Sequence, residues 1–328
     1  MTDPIRWGVL GASKFAREFM GPAIHASRGH VLAALASRDT TRAAPFAAMA
    51  PGLTVHDGYD ALLADDGIDA VYIPLPHHLH IEWAIRALEA GKHVLVEKPV
   101  ALHADAIAPL IEARDRTGLH CSEAYMIVHH PQWQRVRGLL AEGAIGRLRH
   151  VEGIFVYDNS SDPANIRNQA AMGGGALPDI GVYTYGATRW ATGAEPEAVT
   201  HADIDWEQGC DVLARVSARF PGFSAHWVNS IRIMRDQFML FQGEGGSIRL
   251  TAPFNPGVFG EARLELRDSA GSARIETWPG TDQYVLQVEA FGAAIRGEAP
   301  FAWTLEQARG TQAVIDMAYA AAGGRPPS

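Results

Sequence analysis

Trp7-Gly8-Val9-Leu10-Gly11-Ala12-Ser13-Lys14-Phe15-Ala16 is the stretch on which the fold turns. An apolar strand runs into a glycine turn and then a helix, the order that opens a nucleotide-binding βα unit. Gly11 permits the tight turn, and Ala16 lets helix and strand pack closely. The helix N-terminus offers N–H groups and partial positive charge to a pyrophosphate. Ser13 stands where the GxGxxG/A pattern has its second glycine, so the motif alone reads equally well as a plain strand–turn–helix.

Its surroundings decide the matter. Strand-like runs recur at Val31-Leu32-Ala33-Ala34-Leu35-Ala36, Val71-Tyr72-Ile73-Pro74-Leu75 and His93-Val94-Leu95-Val96, with helical stretches such as 81–89 and 104–117 between them. These runs are apolar throughout, as expected where helices cover both faces of a parallel sheet. The pattern predicts a Rossmann, doubly wound α/β domain over 1–122. After Gly143 the rhythm changes: one helical segment, 174–192, precedes short alternating runs from about Ala198 to Glu276. Turn signals at Pro221-Gly222, Gly243 to Gly246 and Asn255-Pro256-Gly257 predict a large, mainly antiparallel sheet. An α+β domain over 123–300 follows. A closing helix in 301–328 is expected to pack back on the first domain, ending in a frayed Gly323-to-Ser328 tail.

Composition narrows the function. The 328 residues are 47% hydrophobic and 20% charged, with a formal net charge of -9, which disfavours nucleic acid or anionic membrane as partner. No apolar run reaches the ~18 residues of a membrane span, and the start shows no leader-like segment, so a cytoplasmic enzyme is expected. Cys121 and Cys210 are the only cysteines and form no CxxC pair.

An NAD enzyme places an acid some 20 residues past its glycines to hold the ribose hydroxyls. Here the second strand ends in Ser37-Arg38, a hydroxyl and a guanidinium suited to a 2′-phosphate. NADP is therefore expected, with NAD possible if Asp39 serves instead. Downstream, Pro74-Leu75-Pro76-His77-His78-Leu79-His80 and Glu97-Lys98-Pro99 close two strands at the ends where ligands bind in this architecture. The histidines lack a completing carboxylate or Cys, so no metal is expected.

The run 72–99, ending Gly91-Lys92-His93-Val94-Leu95-Val96-Glu97-Lys98-Pro99, resembles the signature of the glucose–fructose oxidoreductase/inositol dehydrogenase (Gfo/Idh/MocA) family. The resemblance continues in Glu123-Ala124-Tyr125-Met126, His130-Pro131-Gln132 and Asn165-Ile166-Arg167. It strengthens again in Gly173-Gly174-Gly175-Ala176-Leu177-Pro178-Asp179-Ile180-Gly181-Val182-Tyr183 and extends to Leu305-Glu306-Gln307-Ala308. The 173–183 segment is similar to the branch of D-xylose and dimeric dihydrodiol dehydrogenases, where tyrosine replaces a histidine. Ile127-Val128 departs from the aromatic and basic pair usual in close relatives, which argues against xylose itself.

The resemblance implies Lys98 and Tyr183 as catalytic pair with Asp179 nearby, and a carbohydrate-like alcohol or carbonyl as substrate. An ammonium beside a phenol favours phenolate, and Asp179 and Tyr183 stand i and i+4 on an expected helix. Expected cofactor contacts are Gly8, Gly11, Ala12, Ser13, Lys14, Phe15, Ser37, Arg38, Leu75, Pro76, His80, Glu97, Lys98 and Arg167. Alternatives are a dihydrodiol dehydrogenase, a dicarbonyl or ketose reductase, and a non-catalytic nucleotide sensor. Relatives dimerise through the open sheet, so a homodimer or dimer of dimers is expected. Phe223, Ala225, Trp227 and Asn229 share the strand face expected to make that contact.

Overall fold

A computed structural model describes residues 3–324 of the chain. The expected frayed tail lies, beyond Gly324, outside the described residues. By internal contacts the chain divides into two units: Met1–Ala101 with Asp105–His129 and Asp282–Ala308, and Leu102–Ala104 with His130–Thr281 and Arg309–Ser328.

The first unit holds strands β1 (Ile5–Leu10), β2 (His30–Ala36), β3 (Thr54–His56), β4 (Ala70–Ile73), β5 (His93–Val96) and β6 (Cys121–Glu123). Its helices are α1 (Gly21–Ala26), α2 (Thr40–Met49), α3 (Tyr59–Leu63), α4 (His80–Glu89) and α5 (Ala108–Thr117). All strand pairs are parallel, in the order β3-β2-β1-β4-β5-β6. This is the doubly wound Rossmann order, and it reverses between β1 and β4. Every residue of β4 is buried, which is why it reads as an unbroken apolar run. Two pieces of chain close this unit from afar. Phe291, in the helix Gln283–Ile295, sets its ring 5.0 Å from that of Trp7 at a tilt of 45°. Trp303 donates from its indole to Glu123 at 2.8 Å.

These contacts correct the expected boundaries at 122 and 300. The helix 283–295 belongs to the first unit because its buried face (Val288, Phe291) packs there. Of the helix Leu305–Ala321, only the start joins that core, through Leu305 and Ala308. The rest belongs to the second unit, where Tyr319 donates to Asp211 at 2.7 Å.

The second unit adds α6 (Pro131–Ala141), β7 (Leu148–Asp158), α7 (Val182–Thr192) and strands β8 (Ala198–Glu207), β9 (Cys210–Phe220), β10 (Phe223–Ser230), β11 (Arg232–Gly243), β12 (Gly246–Leu250), β13 (Arg263–Asp268) and β14 (Ala273–Thr277). The eight strands run β14-β13-β12-β11-β7-β10-β9-β8, antiparallel except where β10 lies parallel to β7. α7 packs on one face of this sheet. Trp227 donates to Thr188 Oγ1 at 3.0 Å, and Thr184 donates to Asn229 at 3.2 Å. The face carrying Ala225, Trp227 and Asn229 is therefore the helix-covered one, which corrects its assignment to the open side. Period-2 alternation turns Ser224, His226 and Val228 to the opposite side. There Val228 stands in register with Ile154, and Ile154 with Phe238, all three half-buried.

Candidate active site

In the first unit, the strand order reverses at β1 and β4, and ligands of open α/β sheets bind beyond the carboxyl ends at such a point. Gly11 leaves β1 at φ +107 and donates its N–H to Ala36 O at 3.1 Å, tying the turn to the end of β2. Ser13 Oγ accepts from Ala16 N at 3.0 Å, so the residue replacing the second glycine caps the incoming helix. Gly8 is buried in β1, where a methyl group would sit 2.6 Å from Leu62 Cδ2, so its lack of a side chain serves packing.

A cleft of about 780 Å³ opens beside this turn, lined by Gly11, Ala12, Ser37, Arg38, Arg42 and the rings of Tyr59 and Trp83 among others. A neighbouring depression of about 320 Å³ carries Ser13, Lys14, Arg17 and Arg42. Asp39 lines the same cleft, its Oδ2 3.5 Å from Arg42 Nε. Its Oδ1 accepts the N–H groups of Thr41 at 2.9 Å and Arg42 at 3.3 Å, capping α2. Hydrogen bonds from Thr41 first of all hold that carboxyl below its usual range. Donors, guanidinium groups and room fit a dinucleotide at this edge of the sheet.

Lys98 is half-buried just past β5, joined to Pro99 by a cis peptide bond. Glu97 accepts from Tyr72 Oη at 2.6 Å and from Lys98 N at 3.3 Å. His80, expected at the cofactor, is fully buried instead. Its Nδ1 lies 2.8 Å from Pro99 O and its Nε2 2.7 Å from Leu75 O. Burial pushes the imidazole down to about 4, against the pull of the two carbonyls. With no exposed surface and one N–H when neutral, the ring donates to one of these two carbonyls, Pro99 O in its Nδ1–H tautomer. Leu75 is 7% exposed, and Pro76 beside it is half-buried. Lys92 is likewise structural, its ammonium donating to Asp65 O and Ile68 O at 2.8 Å each.

In the second unit, Tyr183 opens α7 directly after a π-helical turn, Leu177–Gly181. Such turns widen a helix and recur at functional sites. The i,i+4 spacing of Asp179 and Tyr183 thus crosses a π turn, not the regular helix expected. Asp211 anchors the segment, accepting from Leu177 N at 2.6 Å. Gly175 lies so close to that carboxylate, at φ +130, that any side chain would collide with it. A side chain on Gly174 would likewise come within 2.6 Å of Arg167 O and 2.7 Å of Ile166 O, so the two segments meet backbone to backbone.

Arg167 Nε lies 2.8 Å from Asp179 Oδ2, and Tyr157 Oη donates to the same oxygen at 2.6 Å. Asp179 holds Arg167 above its already high value, and Tyr183 adds to that effect. Burial, then Asp179, pushes the Tyr157 phenol up. So Arg167, expected at the cofactor, is placed in an ion pair, and the Asp179 carboxylate is engaged by two partners. Tyr183 packs against the stacked pair Phe155 and Phe254, ring centroids 5.6 Å from each. Ile127 and Val128 are buried core residues.

Residues 5–125 match the oxidoreductase family described as having an NAD-binding Rossmann fold, and residues 133–249 match the GFO/IDH/MocA C-terminal domain. The chain belongs to the GFO/IDH/MocA oxidoreductase family. It is 42% identical over 321 residues to the uncharacterized oxidoreductase ORF334 of Rhizobium meliloti, covering 96% of each chain. It is 34% identical over 298 residues to D-xylose 1-dehydrogenase (NADP(+)) 2 of Haloferax volcanii, covering 90% of each. The fold is similar to that of KijD10, a 3-ketoreductase from Actinomadura kijaniata solved with NADP and TDP-benzene. That likeness has TM-score 0.88 and 33% identity over 96% of each chain. This GFO/IDH/MocA chain is thus a sugar-related NAD(P)-dependent oxidoreductase by family.

Sequence reasoning missed Arg42, Tyr59 and Trp83 at the cleft and Asp211 beneath the π turn. Arg42 left a readable trace, a second guanidinium four residues after Arg38. The others are joined only by tertiary structure. No group of three or more His, Cys, Asp or Glu among the described residues could hold a metal ion. Cys121 and Cys210 are both buried and form no disulfide. No helix among the described residues is long and apolar enough to cross a membrane.

Proposed function

We propose that this chain is an NADP(H)-dependent cytoplasmic enzyme interconverting a sugar-like alcohol and its carbonyl. The preference for NADP rests on one observation: two guanidiniums, Arg38 and Arg42, line the cleft beside Ser37, while Asp39, which lines it too, has Oδ1 engaged in capping α2 and Oδ2 3.5 Å from Arg42 Nε. An acid in that role serves ribose hydroxyls; guanidiniums serve a 2′-phosphate. The relatives named for NADP and for sugar substrates support the same reading. Two buried cysteines that form no disulfide agree with a reducing compartment.

In this reading Lys98 and Tyr183 touch the substrate. Tyr183 accepts the hydroxyl proton during oxidation and returns it during reduction. Lys98 stabilises the charge that develops on that oxygen. Asp179 holds Arg167 and Tyr157 around the base of the tyrosine-bearing helix, an orienting role. When bound, the nicotinamide takes or gives the hydride at the substrate carbon. Retention of both Lys98 and Tyr183 favours an enzyme over a nucleotide sensor, which needs no acid–base pair. Absorbance of NADPH, followed over a panel of aldoses, nucleotide-linked ketosugars, polyols and dicarbonyls, tests the class. Turnover of dicarbonyls alone would move the substrate away from sugars, and no turnover with any compound would favour a sensor.

Arg38→Ala should weaken NADP binding by about 1.5–3 kcal/mol, the range for a hydrogen bond to a charged group, and leave NAD nearly unchanged. Equal losses for both cofactors in calorimetric titration would remove the phosphate role from Arg38.

The half-buried row of Val228, Ile154 and Phe238 on the open side of the sheet supports self-association through that side. Light scattering at micromolar concentration should give at least twice the chain mass of 35.4 kDa. A species of 35.4 kDa would contradict a homodimer or dimer of dimers.

A further inference from the structure

The Pro99–Val100 peptide, one residue beyond Lys98, is gripped from both ends inside the first unit. Pro99 O faces His80 Nδ1 at 2.8 Å, and Val100 N donates to Glu123 Oε1 at 2.8 Å. These are the two polar atoms of a single peptide bond. His80 continues to Leu75 O at 2.7 Å, and Glu123 accepts at its other oxygen from Trp303 Nε1 at 2.8 Å. His80 is 0% and Glu123 4% exposed, so neither side chain is on offer to a ligand.

We propose that His80 and Glu123 are positioning residues that clamp the Pro99–Val100 peptide and thereby aim the Lys98 side chain. The proposal rests on the reading of Lys98 as a residue that touches substrate. Rotating this peptide would strip a buried carbonyl and a buried N–H of their partners at once. On the other flank, the N–H of Lys98 is held by Glu97, whose carboxylate Tyr72 holds in turn. The backbone around Lys98 is thus fixed on both sides, which a long, flexible ammonium chain requires if its tip is to meet a reacting oxygen.

Burying a carboxylate is unfavourable, and burial pushes the Glu123 carboxyl up to about 7, with Glu97 adding to the rise. The N–H groups of Val100 and Trp303 and the Lys98 ammonium oppose it. A packing role at this position needs no acid; a grip on two N–H donors does. Trp303 in turn stacks on Tyr125 with ring centroids 4.0 Å apart, so the clamp is anchored in rigid aromatic packing.

The test is a double-mutant cycle on the panel substrate that turns over. Glu123→Gln keeps shape but can satisfy only one of the two donors. It should lower kcat about 10- to 100-fold, the scale of a small misplacement, with melting temperature and NADP Kd little changed. Trp303→Phe preserves the stack on Tyr125 and removes one donor, so it should act in the same sense with a smaller factor. It carries the cycle if Glu123→Gln does not fold. His80→Gln keeps a donor for the carbonyls and should retain most of kcat, whereas His80→Leu should not. In a Lys98→Met background, Glu123→Gln and Trp303→Phe should each alter the residual rate by less than about twofold. Losses that multiply in that background, or an unchanged kcat in Glu123→Gln, would overturn the clamp. Wild-type kcat in Lys98→Met alone would instead bring down the reading of Lys98 on which the clamp depends, and that single variant shows it separately.

Discussion

Lys98→Met should lower kcat by on the order of 10³-fold or more while the chain stays folded. Removing a single oxyanion partner from an enclosed site lowers rates about 10²–10³-fold, and the ammonium also favours the phenolate form of a tyrosine acting with it. Both contributions vanish in this variant. Folding should survive because Lys98 is half-buried at the mouth of a strand, and Met replaces its stem with an uncharged chain of similar length. Steady-state kinetics with saturating NADP, beside a thermal melt, make the measurement. A kcat within tenfold of wild type would remove Lys98 from the substrate.

Tyr183→Phe is the second large effect. The phenyl ring keeps the packing against Phe155 and Phe254, so stability and NADP binding should hold. Loss of the transferable proton should lower kcat about 10²–10⁴-fold, the usual yield of positioned acid–base catalysis. In the oxidative direction the wild-type rate should rise with pH, because the base must be deprotonated to accept the hydroxyl proton. That rising limb should disappear in Tyr183→Phe. The losses of the two variants should fall short of multiplying in the double mutant, since each residue works through the other. Undiminished turnover in Tyr183→Phe would move proton exchange to another group. Asp179 would then be a poor choice, engaged as it is by Arg167 and Tyr157.

Much of the first unit was legible because strands buried on both faces read as continuous apolar runs. β3 and β6, three residues each, carry too little pattern to stand out. β7 was missed for a different reason. It is the strand that joins the two halves of the large sheet, yet Gly153 interrupts its apolar face. Met239 and Trp227 press so close there that a methyl group would lie 2.6 Å from Met239 Sδ. The wrong face of β10 was chosen because alternation says which residues share a side and not which side a helix will cover. Lys98 and Tyr183 each sit in motifs that a local reading finds. The partnership of Asp179 with Arg167, and the anchoring of Leu177 by Asp211 34 residues away, exist only after folding.

The return of residues 282–308 to the first unit bears on how the chain can be cut and recombined. The segment that matches the Rossmann family, 5–125, is not the whole of the body it belongs to. Without the later segment, Trp7 would lose Phe291, His120 would lose the rings of Phe291 and Phe301, and Glu123 would lose its indole donor. On the ribosome this unit therefore waits for nearly the entire chain before its core can close. Exchange of nucleotide-binding halves between relatives would have to carry residues 282–308 along, as a third piece of the graft, to keep the lysine loop in its setting.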